Sequence, residues 1–196
     1  GNYRRTGETT AIKGGKRSDG NGAIMRLAAV PCMHWQNVEK ARSIAIAQSQ
    51  CTHHSPLSEG CCDLMALILC KLISGEIWEQ ILPYPNKNNW LEEVSLLSSC
   101  NWRNKSEEEV QSTGYVIHTL EAALWCVDTT NSFPDAVLKA VNLGEDADTV
   151  GAVTGQIAGA RYGIESIPDA WLSELVDQPR IKTIAEIIFN RSLDLV

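Results

Sequence analysis

Three side chains with oxygen atoms lie together in one short segment of the sequence. Asp146, Asp148 and Thr149 precede an apolar segment with helical spacing. Two aspartates two residues apart do not share a helical face, so they converge on one point only from a non-helical turn. Carboxylate and hydroxyl oxygens are the ligands that Mg²⁺ prefers, and these three would fill part of its octahedral shell. Taken alone, the motif is a weak signal and is better explained by one aspartate that caps the helix.

A glycine-rich turn near the start of the chain is the second candidate site. It reads Ser18-Asp19-Gly20-Asn21-Gly22. Glycines let backbone amides approach an anion with no side chain between them, so the turn suits a phosphate or diphosphate. The alternative is that residues 18–21 only cap a helix over residues 23–30.

These segments belong to a series of motifs that occur in a fixed order. The glycine-rich turn is followed by Met25-Arg26, Thr52-His53 precedes an apolar helix, and the acidic turn lies in a run that continues from Gly144 to Gly163. Together they resemble the C-terminal half of the ADP-ribosylglycohydrolases, of the dinitrogenase reductase-activating glycohydrolase type. The resemblance extends through nearly all of the chain.

This resemblance implies a function and a set of site residues. The family hydrolyses the N- or O-glycosidic bond between ADP-ribose and a modified protein side chain or a small acceptor, and its partners are ADP-ribose or ADP-ribosylated substrates. A metal pair can activate water while charge that develops at the anomeric carbon is stabilised. The implied metal ligands, for two Mg²⁺ ions with Mn²⁺ as an alternative, are Asp146, Asp148 and Thr149. The implied substrate-binding residues, with the diphosphate against the turn and the histidine, are Ser18, Gly20, Asn21, Gly22 and His53.

Some residues depart from the family pattern. The family's first half carries a glutamate and a Thr-Asp-Asp cluster, whereas no two aspartates are adjacent here. We therefore expect Gly1 to begin near the middle of a complete enzyme, with the catalytic residues in the half that precedes it. A partner chain that carries this half is one way to complete the site. Asp19 adds an acid to the glycine-rich turn, and Glu145 replaces a glycine that often precedes the first metal ligand.

Two other classes of function are compatible with these departures. The chain could be a catalytically silent homologue or fragment that binds ADP-ribose or has a structural role. It could also be a structural helical partner protein, which would leave Asn21, His53 and the acidic turn without a function. The resemblance is compatible with removal of ADP-ribose from arginine, serine or another acceptor.

The elements that must position these residues are predicted to be helices. Apolar residues recur at helical spacing, with no convincing strand alternation. Two such faces are Val116, Leu120, Ala123, Leu124 and Val127, and Ile181, Ile184, Ala185 and Ile188. The resemblance implies the same class: a compact orthogonal bundle of the ADP-ribosylglycohydrolase type without its N-terminal helices. We expect a glycine-rich basic segment and loop over residues 1–22, and a helical domain over residues 23–196.

A stripe of glycines follows the acidic turn at every fourth position. Its members are Gly151, Gly155, Gly159 and Gly163. Each glycine costs a helix interior about 1 kcal/mol relative to alanine. We therefore predict that the stripe packs closely against a neighbouring helix, so that replacing Gly155 by leucine would overpack the contact.

Composition limits the classes of function. With 196 residues and 44% hydrophobic content, the chain can bury a core. Its net charge of −7 disfavours a nucleic-acid partner. The longest apolar stretch, residues 64–73, is too short to span a membrane. The seven cysteines fit neither a zinc motif nor a redox motif, so we expect buried free thiols and a cytoplasmic protein.

Overall fold

The computed structural model describes residues 4, 6–14, 18–85 and 90–195. Apart from an isolated antiparallel bridge between Gly20 and Tyr115, the regular structure in these ranges is helical, which confirms the predicted all-α class. Three short 3₁₀ helices cover Asn21–Arg26, Glu107–Glu109 and Ile164–Ser166. The α-helices, in chain order, are α1 (Ala29–His34), α2 (Val38–Gln50), α3 (Pro56–Ile73), α4 (Trp78–Ile81), α5 (Glu92–Ser98), α6 (Val116–Asp128), α7 (Phe133–Asn142), α8 (Ala147–Tyr162), α9 (Asp169–Glu174) and α10 (Gln178–Leu193).

Helices α3 and α6 form the centre of the bundle. Ser55 caps α3 by accepting a hydrogen bond from the Ser58 amide, and Pro56 occupies the first turn, where its missing N–H costs nothing. Both helices are buried over most of their length, and α3 packs against α2, α6 and α8. The apolar face of α6 that the sequence predicted is fully within the core.

Helix α8, which follows the acidic turn, packs against α6 and α7. Its buried face contains Thr149, Val150, Val153, Thr154, Ile157 and Ala158. The prediction that the glycine stripe packs closely against a neighbouring helix agrees with the structure at Gly151 but not at Gly155. A Cβ at Gly151 would lie 2.9 Å from Val141 Cγ1, but a Cβ at Gly155 would have no described neighbour within 4 Å. Packing of the opposite face offsets the helix cost of the glycines, and Gly163 ends the helix at φ 82°.

The segment after the glycine-rich turn differs from the predicted helix over residues 23–30. A 3₁₀ helix over Asn21–Arg26 is followed by α1, which begins at Ala29. The residue before the 3₁₀ helix is Gly20, and no side chain caps this helix. The buried side chains of Ala23 and Ile24 fix this tighter turn against α3 and α8. The glycine-rich turn therefore belongs to a short, tightly packed element.

The ends of the chain lie against the bundle in different ways. In the basic segment, of which Arg5, Lys16 and Arg17 are outside the described residues, Ala11 N donates to Gln50 O at 2.7 Å and Gly14 N donates to His54 O at 3.0 Å. Helix α10 contacts α1, and Trp35 Nε1 donates to Ser192 Oγ at 3.1 Å. The helical periodicity predicted for α10 is confirmed, but Ile181 and Ile184 are about half exposed. No helix in the described part of the chain is long and apolar enough to cross a membrane.

Candidate functional site

The glycine-rich turn is attached to the start of α6 by backbone hydrogen bonds. Asn21 N donates to Gly114 O at 3.2 Å, and Val116 N donates to Asp19 O at 2.9 Å. Ser18 is buried, and its carbonyl accepts a hydrogen bond from Ser55 Oγ at 3.1 Å. These contacts fix both ends of the turn.

The Asn21 side chain joins the glycine-rich turn to the acidic turn, which lies 125 residues later. Its Nδ2 group donates one hydrogen bond to Thr119 Oγ1 at 2.9 Å and another to Asp146 Oδ2. An amide nitrogen has two hydrogens, so both are used within the protein. Only the Asn21 Oδ1 acceptor is left for a ligand.

The acidic turn is non-helical only up to Asp146, because Asp148 and Thr149 lie in the first turn of α8. Gly144 has φ 80° and Glu145 has φ 49°, so two consecutive residues adopt left-handed conformations before α8. Glycine adopts this conformation at little cost, whereas a glutamate does not. Asp146 precedes α8 without capping it through its side chain, so the helix-capping alternative is not observed.

Hydrogen bonds on both carboxylate oxygens hold Asp146. Oδ2 accepts from Asn21, and Oδ1 accepts from the hydroxyl of Thr149 at 3.1 Å. The Asp146 backbone N–H donates to Ser112 O at 3.0 Å. Thr149 is buried, whereas Asp148 is exposed. The three predicted metal ligands thus share one turn, with Asp146 the most constrained.

His53 lies against the glycine-rich turn. A Cβ at Gly22 would lie 2.7 Å from His53 Cε1, so only glycine leaves room for the ring. The His53 N–H donates to Ser49 O at 2.7 Å, and Ser49 Oγ donates to the His53 carbonyl at 2.9 Å. Burial lowers the pKa of His53, and the nearby positive charge of Arg26 lowers it further. The ring is therefore neutral at pH 7.

A cavity of about 430 Å³ opens beside these residues. It is lined by Asp19, Gly20, Asn21, His53, Gly114 and Tyr115. Of the predicted substrate-binding residues, Gly20, Asn21 and His53 border it, Gly22 supports the His53 ring, and Ser18 contributes a buried backbone contact behind it. Sequence reasoning missed Gly114, Tyr115 and Thr119. A glycine and an aromatic residue before an apolar helix are a weak signal, and nothing in the sequence marks Thr119 as a partner of Asn21.

A larger cavity of about 530 Å³ lies elsewhere, between Tyr84 and Leu96. Glu92 is the one charged residue among the described residues that line it. The accessible lining of this larger cavity is mostly apolar, whereas the smaller cavity has a larger polar share, so we place the candidate site at the smaller one.

The oxygen atoms of the acidic turn are of the type that binds Mg²⁺, but they do not complete a metal site. Two carboxylates and one hydroxyl are fewer than the six oxygens of an octahedral shell. Within residues 4, 6–14, 18–85 and 90–195, no group of three or more His, Cys, Asp and Glu side chains could hold a metal ion. The donor set therefore fits part of a magnesium shell.

The chain is similar to several known proteins over most of its length. The family model described as ADP-ribosylglycohydrolase matches residues 2–194. The chain is 41% identical over 175 residues to the ADP-ribosylarginine hydrolase Tri1 of Serratia proteamaculans, which covers 87% of this chain and 46% of that protein. It is 30% identical to the ADP-ribosyl-[dinitrogen reductase] glycohydrolase of Rhodospirillum rubrum, with 88% and 56% covered. This chain thus spans about half the length of these curated relatives.

A solved structure shares the fold. It is described as an ADP-ribosylglycohydrolase-related protein complex, and it superposes with a TM-score of 0.88 at 30% sequence identity. The match covers 97% of this chain and 66% of the other.

Proposed function

Because this chain belongs to the ADP-ribosylglycohydrolase family, we propose that it supplies the ADP-ribose-binding part of a magnesium-dependent ADP-ribosyl hydrolase. The reaction is hydrolysis of the glycosidic bond between ADP-ribose and its acceptor. Since the chain spans about half of its curated relatives, the proposal includes a second polypeptide segment that completes the site.

One contact supports this proposal most directly, the hydrogen bond from Asn21 Nδ2 to Asp146 Oδ2. It holds the acidic turn beside the glycine-rich turn, which borders the cavity that His53 also lines. A ligand in which a diphosphate is joined to a terminal ribose needs two such neighbouring regions. ADP-ribose contains this arrangement, with adenosine on the other side of the diphosphate.

The protein's own residues would orient the substrate. Asn21 holds Asp146 in place from one side, and Thr149 holds it from the other. His53 is neutral and borders the cavity, so it can make a hydrogen bond to a phosphate oxygen without a change in its charge. The Asn21 Oδ1 atom can accept a hydrogen bond from a ligand hydroxyl, but it cannot donate to a phosphate.

Asp146, Asp148 and Thr149 are the residues that would contribute oxygen ligands to Mg²⁺, or to Mn²⁺ in its place. When bound, the metal supplies positive charge for substrate oxygens and lowers the pKa of water. The remaining ligands would come from the segment that completes the site.

For the acceptor we propose ADP-ribosylated arginine. The support is the name of two relatives, at 41% and 35% identity, which are both called ADP-ribosylarginine hydrolases. A cytoplasmic setting is also part of the proposal, because all seven cysteines are free thiols.

A second candidate function is ADP-ribose binding without hydrolysis. The incomplete donor set in the described ranges and the acid at Asp19 favour it. Asp19 lines the same cavity as His53, and its negative charge disfavours a diphosphate there. Titration with metal and substrate separates the two candidates.

The experiment is magnesium titration calorimetry with a parallel assay of ADP-ribose release from ADP-ribosylated arginine. The samples are this chain alone and this chain co-expressed with the unmatched half of the Serratia relative. We expect weak Mg²⁺ binding by the chain alone, because magnesium gives up its waters only when several fixed oxygens replace them. The complemented pair should bind Mg²⁺ and release ADP-ribose.

Asp148→Ala in the complemented pair should weaken Mg²⁺ binding and reduce release by at least about tenfold, the usual scale for loss of a metal-site group. Asp169→Ala, which removes an exposed aspartate from α9, is the matched control and should change neither. Tight binding of Mg²⁺ by the chain alone would show that no further segment is needed. Normal hydrolysis by the Asp148→Ala pair would exclude this residue from the metal site.

A further inference from the structure

Arg26 links the glycine-rich turn to the turn that carries His53. Its guanidinium donates from Nη1 to Gly22 O at 2.8 Å and from Nη2 to Thr52 Oγ1 at 2.7 Å. It also donates to both the side-chain and the backbone oxygen of Gln48, at 3.1 Å and 3.2 Å. Arg26 is not among the residues that line the cavity. Its charge is thus used to hold two loops together beside the candidate site.

The Thr52 hydroxyl lies between Arg26 and His53. Its oxygen is 2.8 Å from His53 Nδ1 as well as 2.7 Å from Arg26 Nη2. A guanidinium N–H can only donate, so the hydroxyl oxygen accepts from Arg26. The hydroxyl hydrogen is then free for donation, and His53 Nδ1 is the other atom in hydrogen-bond contact with this hydroxyl among the described residues.

We infer that Arg26 and Thr52 fix His53 as the neutral tautomer with its hydrogen on Nε2, so that this N–H is offered to an acceptor oxygen in the cavity. Arg26 and Thr52 are thereby positioning residues, because they act on a ligand only through His53. Gly22 takes part by leaving room for the ring, whose Nε2 would lie 3.2 Å from a Cβ at that position.

The identity of the oxygen that accepts this hydrogen bond rests on the proposed function, under which it is a phosphate oxygen of ADP-ribose. Phosphate oxygens accept hydrogen bonds and do not donate them at neutral pH, so the opposite tautomer would present a lone pair to the ligand. The lowered pKa of His53, from burial and from Arg26, agrees with a neutral ring. The tautomer itself can be measured without any ligand.

Nitrogen NMR of the ¹⁵N-labelled chain tests the inference. Two-bond proton–nitrogen correlations distinguish a protonated ring nitrogen from an unprotonated one, and a His53→Gln sample identifies the His53 signals. We expect Nε2 to be protonated in the wild type and in Thr52→Ser, which keeps the hydroxyl. Thr52→Val and Arg26→Gln should shift His53 toward a mixture of tautomers, while the signals of His34 and His118 stay unchanged as evidence of an intact fold.

The same variants, each as the complemented pair, are then titrated with ADP-ribose in the presence of Mg²⁺. Thr52→Val should bind about tenfold more weakly than wild type, the scale of one lost hydrogen bond to a charged acceptor, and Thr52→Ser should be near wild type. A wild-type ring protonated mainly on Nδ1, or a tautomer unaffected by Thr52→Val, would overturn the inference. A wild-type chain with the expected tautomer whose complemented pair has no affinity for ADP-ribose would support the tautomer assignment and contradict the proposed function.

Discussion

At the scale of single residues, the direction of hydrogen bonds decides what the site can offer a ligand. The Asn21 amide spends both hydrogens on Thr119 and Asp146, so its contribution to a ligand is one acceptor. The Arg26 guanidinium donates hydrogen bonds to two backbone carbonyls, one side-chain oxygen and one hydroxyl. Arg26 does not line the cavity, so the side-chain donor that these residues offer a ligand there is the His53 ring.

Gly22→Ala tests the contact between the glycine-rich turn and His53. The new Cβ would lie 2.7 Å from His53 Cε1, and the ring must move because its backbone is held by Ser49. Overpacking of this kind typically costs about 1–3 kcal/mol, and we expect a loss at the lower end because the ring is only partly enclosed. Binding of ADP-ribose should weaken in calorimetry.

The control is the pair Gly22→Ala with His53→Ala, in which the ring is absent. If the ring causes the clash, thermal melts should show that Gly22→Ala costs less stability in the His53→Ala background than in the wild type. Equal costs in the two backgrounds would contradict this interpretation.

At the scale of elements, α8 shows that a stripe of glycines in the sequence does not indicate which residues pack against each glycine. Gly155 has open space at its Cβ position, whereas Gly151 has Val141 Cγ1 at 2.9 Å. Gly155→Ala should therefore stabilise the chain by up to about 1 kcal/mol, because alanine is the better helix former. In a chain of this size that corresponds to a rise of about 2–4 °C in the melting temperature.

Gly151→Ala is the matched variant, since it makes the same chemical change on the same helix. Its Cβ meets Val141, so the helix gain is offset by crowding and the melting temperature should rise less or fall. Calorimetric melts of both variants check the prediction. A lower melting temperature for Gly155→Ala would mean that another part of the protein covers the face of α8 that contains Gly155.

Periodicity predicted the helices well but could not assign their partners. The face on α6 from Val116 to Val127 is buried, whereas Ile181 on α10 is half exposed although its pattern is similar. An amphipathic pattern records that a face is apolar, and the neighbour that covers it is fixed by the rest of the fold.

The same limit applies to the site. The sequence indicated Asn21 and Asp146 separately, because each lies in a short motif. The hydrogen bond between them spans 125 positions, and its donor and acceptor are known only from the coordinates. The 3₁₀ helix over Asn21–Arg26 was also not predictable, since its tight winding depends on how Ala23 and Ile24 are buried.

At the scale of the whole molecule, three histidines make stability depend on pH. Burial lowers the pKa of His34, His53 and His118, so the folded protein disfavours their charged forms. Above their ordinary pKa of about 6.5, these histidines are neutral in both the folded and the unfolded chain, so they do not reduce the free energy of unfolding. Below this pH the unfolded chain binds protons before the folded chain does. The free energy of unfolding therefore decreases as the pH is lowered from the ordinary pKa to the lowered pKa of the folded state.

We therefore expect the melting temperature to decrease as the pH is lowered from about 7.5 to about 5.5. Replacing His118 by Gln should make the decrease smaller, because one of the three groups no longer titrates. Thermal unfolding monitored by circular dichroism at several pH values checks this. A melting temperature that is constant or rises over the range would contradict it.

The order of two neighbouring residues in the glycine-rich turn has a consequence for the ageing of the protein. Asn21 is followed by Gly22, and an asparagine followed by glycine is especially prone to deamidation, because the small residue lets the next backbone nitrogen attack the side chain. In the folded chain that amide is buried and held by Thr119 and Asp146, which keeps it from the attacking geometry. If the turn opens, conversion to aspartate would remove both donors and place a negative charge against Asp146. The hydrogen bond that joins the glycine-rich turn to the acidic turn would then become a repulsion between two carboxylates. Burial of Asn21 thus helps to preserve the chemical identity of the residue on which the geometry of the site depends.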